Sequence, residues 1–100
     1  TRVFSRSRDM FVYLQAYQRN VDAMRPMVAF VTLFQDDRKV FESVPIGVTD
    51  GMDPRSKAVP LRFDVPLGSV AAGRYECQVT VLDPDGQRVA FWRAAIAVIS

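Results

Sequence analysis

Between Ala58 and Val65 the chain alternates one for one: Val59, Leu61, Phe63 and Val65 fall on one side, and Ala58, Pro60, Arg62 and Asp64 on the other. Only an extended backbone returns a side chain to the same direction every second residue, so this stretch reads as a strand with one face toward a core. Gly73 to Leu82 repeats the pattern, with Tyr75, Cys77, Val79 and Val81 set against Glu76, Gln78 and Thr80. A helix would scatter either set around its circumference. Pro60 removes a ladder donor from the first segment, which suits an edge strand or a bulge and not a sheet centre.

The remainder divides into similar short runs separated by turn residues. Met10 to Tyr17 carries the β-formers Phe11, Val12, Tyr13 and Tyr17 and ends at polar Gln18-Arg19-Asn20. Pro26 opens Met27 to Phe34, a nearly continuous apolar run that reads as a central strand. Polar Gln35 to Lys39 then leads into Val40 to Val44, a hairpin partner that stops at Pro45. Pro66 to Val70 reads as one short turn of helix. Asp83-Pro84-Asp85-Gly86 has type I turn chemistry and joins Gly73–Leu82 to a last strand, Gln87 to Ile99. With a short strand around Val3 and Phe4, the expected fold is all-β: an immunoglobulin-like, two-sheet antiparallel β-sandwich of about seven strands. One hundred residues close one core, so 1–100 is expected to be a single domain, and a chain starting at Thr1 reads as a piece of a longer protein.

At Gly73-Arg74-Tyr75-Glu76-Cys77 the chain resembles the start of strand F in immunoglobulin-like domains, where a tyrosine two residues before a cysteine bonds back to the backbone at the corner between strands. There is no second cysteine, and Trp92 falls on the last strand, so an antibody-type domain is not expected. The segments FVYLQAY, RPMVAFVTLF, VTDGMDPRSKAVPLRFDVPL and GRYECQVTVLDPDGQRVAFWRA resemble the carboxyl-terminal region of bacterial von Willebrand factor A-related domain proteins, common in acidobacteria. That resemblance covers nearly the whole chain. It implies an accessory β domain following an A domain in a secreted or cell-envelope-associated protein, and brings no activity with it. The Asp-x-Ser-x-Ser metal motif of an A domain is absent from these residues.

The chemistry-bearing residue types are sparse. With no histidine, the commonest general base and the commonest metal ligand are missing, and so are the Ser-His-Asp and Cys-His arrangements. No Ser-x-x-Lys dyad or glycine-rich phosphate loop occurs. The expectation is a non-enzyme without cofactor or metal; paired carboxylates in a pocket would be the one route back to a hydrolase. Asp83, Asp85 and Gly86 look like a calcium-loop fragment but lack the closing acid, and Asp50 and Asp53 around Gly51 are what a turn requires. Cys77, in the inward set, reads as a small buried hydrophobe. Thirteen basic and eleven acidic residues are interspersed, so no basic stripe marks a nucleic-acid partner. No apolar run is long enough for a membrane-inserted helix.

Strand parity leaves a surplus of aromatic side chains pointing away from the core. With Val12, Leu14 and Ala16 inward, Phe11, Tyr13 and Tyr17 point out; with Ala29, Val31 and Leu33 inward, Val28, Phe30 and Phe34 point out; Phe91 and Arg93 follow on the last strand. Contiguous exposed apolar patches usually mark contact surfaces. The candidate contact surface is therefore Phe30, Phe34, Phe91 and Arg93, with Phe11 and Tyr13, facing a neighbouring domain, another protein or a second copy in a homodimer. The competing reading is that one strand's parity is reversed, or that bulges and loops cover the rings. Trp92 shares the set Ala90, Ala94, Ile96 and Val98 and is expected in the core. A carbohydrate-binding module, the alternative function, needs Tyr13, Tyr17 and Trp92 on one exposed face.

Overall fold

The computed structural model describes residues 1–18, 25–83 and 88–100, of which the Arg88 side chain is not described. Eight strands run in chain order: β1 (Arg2–Ser5), β2 (Asp9–Tyr17), β3 (Met27–Gln35), β4 (Arg38–Glu42), β5 (Ile46–Val48), β6 (Ala58–Pro66), β7 (Gly73–Asp83) and β8 (Arg88–Ile99). The larger sheet has the order β1-β8-β7-β3-β4, with β5 pairing the first half of β3 on the side that β4 takes further along; β2 and β6 form the smaller sheet. The fold is all-β in two sheets, as period two predicts. It has eight strands where about seven were expected, because Ile46–Val48 behind Pro45 also pairs. It is also not wholly antiparallel, since β1 runs parallel to β8.

Both sheets contribute one face to a single apolar cluster. Met27, Ala29, Val31 and Leu33 come from β3, Tyr75, Cys77, Val79 and Val81 from β7, and Ile96 and Val98 from β8. Opposite them stand Met10 and Ala16 of β2 and Val59, Leu61, Phe63 and Val65 of β6. The inward sets read from parity on β2, β3, β6 and β7 are the observed ones. Burying such side chains contributes about 1.5–3 kcal/mol each, which is why register is pinned wherever one face is covered.

Local chemistry fixes the connections. Asp36 and Asp37 both hold positive φ (52° and 63°) in the two-residue link between β3 and β4, and the register shifts between Leu33 and Phe34. The Gln18 side-chain amide donates to Arg25 O at 2.8 Å, and its carbonyl oxygen accepts from Arg25 N at 2.9 Å, so a buried polar group is satisfied on both ends. In Pro66–Val70, where one short turn of helix was expected, no helix forms; Leu67 to Val70 is a single hydrogen-bonded turn, Val70 N donating to Leu67 O at 3.0 Å. The Asp-Pro-Asp-Gly segment at 83–86, expected to turn, lies outside the described residues from Pro84 onward.

Candidate functional site

The outer face of the larger sheet carries four of the six candidate contact residues. Register places Phe30, Thr80 and Phe91 in one cross-strand row, Thr32, Gln78 and Arg93 in the next, and Phe34, Glu76 and Ala95 in the one after. Rows of this kind bring side chains within about 5 Å of one another on one face. Thr32, Gln78 and Thr80 are buried although their face carries no second sheet. Thr80 lies between the two phenylalanines, Gln78 Nε2 donates to Thr80 Oγ1 at 3.1 Å, and Thr32 Oγ1 donates to Glu42 Oε1 at 3.2 Å. All three rings stand on the outward face, as parity predicts, but Phe91 is the exposed one, 58% accessible, while Phe30 and Phe34 are half-buried.

Arg93 is held in place rather than loose. Its Nε donates to Gln78 Oε1 at 2.6 Å, Nη1 reaches Glu76 Oε1 at 3.3 Å, and the guanidinium carbon lies 5.8 Å from the centroid of the Phe34 ring. Three contacts on one planar head reduce the entropy a partner would otherwise have to remove. Beside it opens a shallow recess of about 420 Å³ bordered by Phe34, Asp36, Asp37, Arg74, Glu76 and Arg93. Val28, Leu82 and Val89 extend the face beyond Phe30 and Phe91. Sequence reasoning missed Gln78 and Glu76 as the anchors of Arg93, because only cross-strand register brings them to it.

Phe11 and Tyr13 do not belong to this surface. They stand on the outer face of the β2–β6 sheet, on the opposite side of the sandwich, so the six candidates divide into two sets. Trp92 points into the sandwich, as its parity predicts, yet is 38% exposed, and Ala90 and Ala94 beside it are exposed too. The expectation of a core tryptophan fails: among the described residues the facing sheet has two strands, and Trp92 is left at the border of a recess that it shares with Ala16 and Tyr17. Tyr13 and Trp92 consequently lie on different faces, and the three-aromatic platform of the carbohydrate reading does not form.

The acids are engaged or dispersed. Asp53 Oδ1 accepts the backbone N–H of Arg55 at 2.8 Å and of Ser56 at 3.4 Å, the use a turn makes of aspartate. Asp83 pairs with Arg25 at 2.9 Å. Asp64 and Asp9 make a carboxylate pair on the outer face of the smaller sheet, where the hydrogen bond to Asp9, then partial desolvation, then the Asp9 charge raise the Asp64 carboxyl above its usual range. Both residues are exposed, and no described recess contains the two together. Burial pushes the Cys77 thiol up to about 11, the opposite of what a nucleophile needs. Among the described residues no cluster of three or more His, Cys, Asp or Glu is arranged to hold a metal ion. No described helix is long and apolar enough to cross a membrane.

Comparison of the chain with protein-family models, with curated proteins and with solved structures finds no match.

Proposed function

We propose that this chain is a non-catalytic, immunoglobulin-like accessory module that contacts a neighbouring protein surface through the outer face of its larger sheet. The observation that carries the reading is the pairing of a solvent-exposed Phe91 with an Arg93 whose head is already fixed by Gln78, Glu76 and Phe34. Aromatic and arginine side chains are those that dominate contact energetics, and a face built on regular strands presents them without reorganisation. The β3–β7–β8 neighbourhood with β4 alongside, and the Tyr75 hydroxyl bonded back to Ala71, fit the immunoglobulin-like pattern of an F strand flanked by C and G. A solvent-exposed carboxylate pair outside any shared recess, a protonated buried thiol and the lack of histidine favour binding over catalysis. The placement in a bacterial secreted or envelope-associated protein rests on the resemblance to von Willebrand factor A-related domain proteins alone.

The test is site-directed photo-crosslinking in the full-length parent protein in its own cells. A crosslinking side chain in place of Phe91 should trap one defined peptide, and the same group in place of Arg55, on the loop before β6, should trap none. Equal yields at the two positions, or no adduct at position 91, would end the proposal.

A further inference from the structure

We infer that the edge of β2 with which no described strand pairs is a self-pairing edge, and that two copies of the chain join through it, antiparallel, into one four-stranded sheet with the order β6-β2-β2-β6. Gln18 N donates to Lys57 O at 2.9 Å just beyond the Tyr17–Ala58 pair. Bonded and non-bonded pairs alternate along an antiparallel ladder, so Met10, Val12, Leu14 and Ala16 aim their backbone groups at β6. Asp9, Phe11, Tyr13, Gln15 and Tyr17 aim theirs away from it, at the open edge. The same parity turns Ala58, Pro60, Arg62, Asp64 and Pro66 of β6 outward, and two of those five are prolines with no N–H to offer.

The edges of this molecule are therefore treated unequally. β6 is blunted by Pro60 and Pro66; β1 has four residues and β5 three; β4 has five, begins Arg38-Lys39 and faces an irregular register; and the part of β8 that β1 leaves uncovered, 88–95, carries Arg88 and Arg93. Short length, proline, lysine and bulges are the usual protections against edge pairing. β2 has none of them: nine residues, no proline, no lysine or arginine, no register shift. Its outward row is also the most exposed aromatic row of the chain, with Phe11 and Tyr13 each 66% and Tyr17 57% accessible. Val12 and Leu14, although inward-facing, are only half-buried, and Trp92 borders the same recess as Ala16 and Tyr17.

Charge selects a second copy as the occupant. Asp9 is the sole charge on β2. Centring an antiparallel pair on Tyr13 matches all five outward residues: Tyr13 with Tyr13 of the second copy, Phe11 with Gln15, and Asp9 with Tyr17. The carboxylate of each Asp9 then meets a phenol donor and stays far from its own copy, and the five pairs exchange about ten backbone hydrogen bonds. Shifting the axis by one pair either way discards part of that match.

Sedimentation velocity of the 100-residue chain over a hundredfold concentration range, with amide exchange read by NMR, tests this. The chain should pass from monomer to dimer. Tyr13→Lys, which sets two like charges across the axis at an exposed position, should weaken dimerisation at least tenfold with its circular dichroism unchanged, and Gln15→Lys should do the same should Tyr13→Lys not fold. Phe91→Ser should leave dimerisation untouched, which separates this edge from the proposed contact face. Amides of Phe11, Tyr13 and Gln15 should gain protection with concentration while those of Val12, Leu14 and Ala16 stay protected throughout. A monomer at every concentration, a dimer indifferent to both lysine variants, or protection without that odd–even contrast overturns the inference.

Discussion

The Tyr75 hydroxyl donates to the carbonyl of Ala71, four residues back, at 2.5 Å. The ring is buried against the core while the oxygen reaches the bend that precedes β7, so one side chain ties the corner to the sheet. Tyr75→Phe keeps the packing and removes only the bond. Since Ala71 is exposed and water can take over its carbonyl, the loss should be near the ordinary net value of about 1 kcal/mol, read as a lower urea midpoint at unchanged slope. A midpoint equal to that of the parent chain would show that the corner holds without the phenol.

The link between β3 and β4 leaves room for gain. Asp36 and Asp37 both adopt positive φ, the conformation of a type I′ turn, in which glycine is preferred at the second central position. Aspartate tolerates that region at a cost that glycine does not bear. Asp37→Gly should therefore stabilise the fold by about 0.5–1 kcal/mol and raise Tm by a few degrees. A fall in Tm would mean that the Asp37 carboxylate contributes more than the backbone strain costs.

Parity was legible in the sequence because it is local. The alternation in 58–65 and 73–82 sets every inward residue of β6 and β7 correctly, and Pro60 marks β6 as an edge without reference to anything beyond its own strand. Whatever depends on strand count or register was not legible. Ile46–Val48 is too short to display a period, and a parallel pair such as β1 with β8 leaves no hairpin signal. Trp92 sits on the inward set, but its cover depends on how many strands the opposite sheet has. The contact residues show the same division: each outward direction was readable, whereas the meeting of Phe30 with Phe91 across Thr80, and the parting of both from Phe11 and Tyr13, follow from register.

Cys77 couples stability to alkaline pH. Its thiol is raised from 9.0 to about 11 by burial, so the folded chain keeps the proton in a range where the unfolded chain releases it. The unfolded state binds fewer protons there, and stability falls as pH rises. The contribution is fully present below about pH 9, declines between 9 and 11, and is lost above. At about 1.4 kcal/mol per unit the fall over the whole window is on the order of 3 kcal/mol. The quantity to compare is the slope of the parent chain against Cys77→Ala from pH 8.5 to 11. The alanine variant should start less stable and lose less; parallel slopes would count against a buried, protonated thiol.

Arg25 and Asp83 join the lead-in of β3 to the end of β7 through a 2.9 Å ion pair, with the carboxylate buried and the guanidinium partly so. Arg25 Nε is itself buried without a hydrogen-bond partner among the described residues, so the head already carries a desolvation cost. Removing the carboxylate leaves that charge poorly compensated. Asp83→Ala should cost about 1–3 kcal/mol, less than a fully buried pair because water still reaches part of Arg25. Removing both charges should be milder: Arg25→Met combined with Asp83→Ala should recover part of the loss, since a methionine stem packs against Met27 and Val81 without requiring a counter-ion. Chemical denaturation of the two singles and the double closes the cycle. A double variant no more stable than Asp83→Ala would place the penalty in the lost hydrogen bonds of Asp83 and not in the stranded guanidinium.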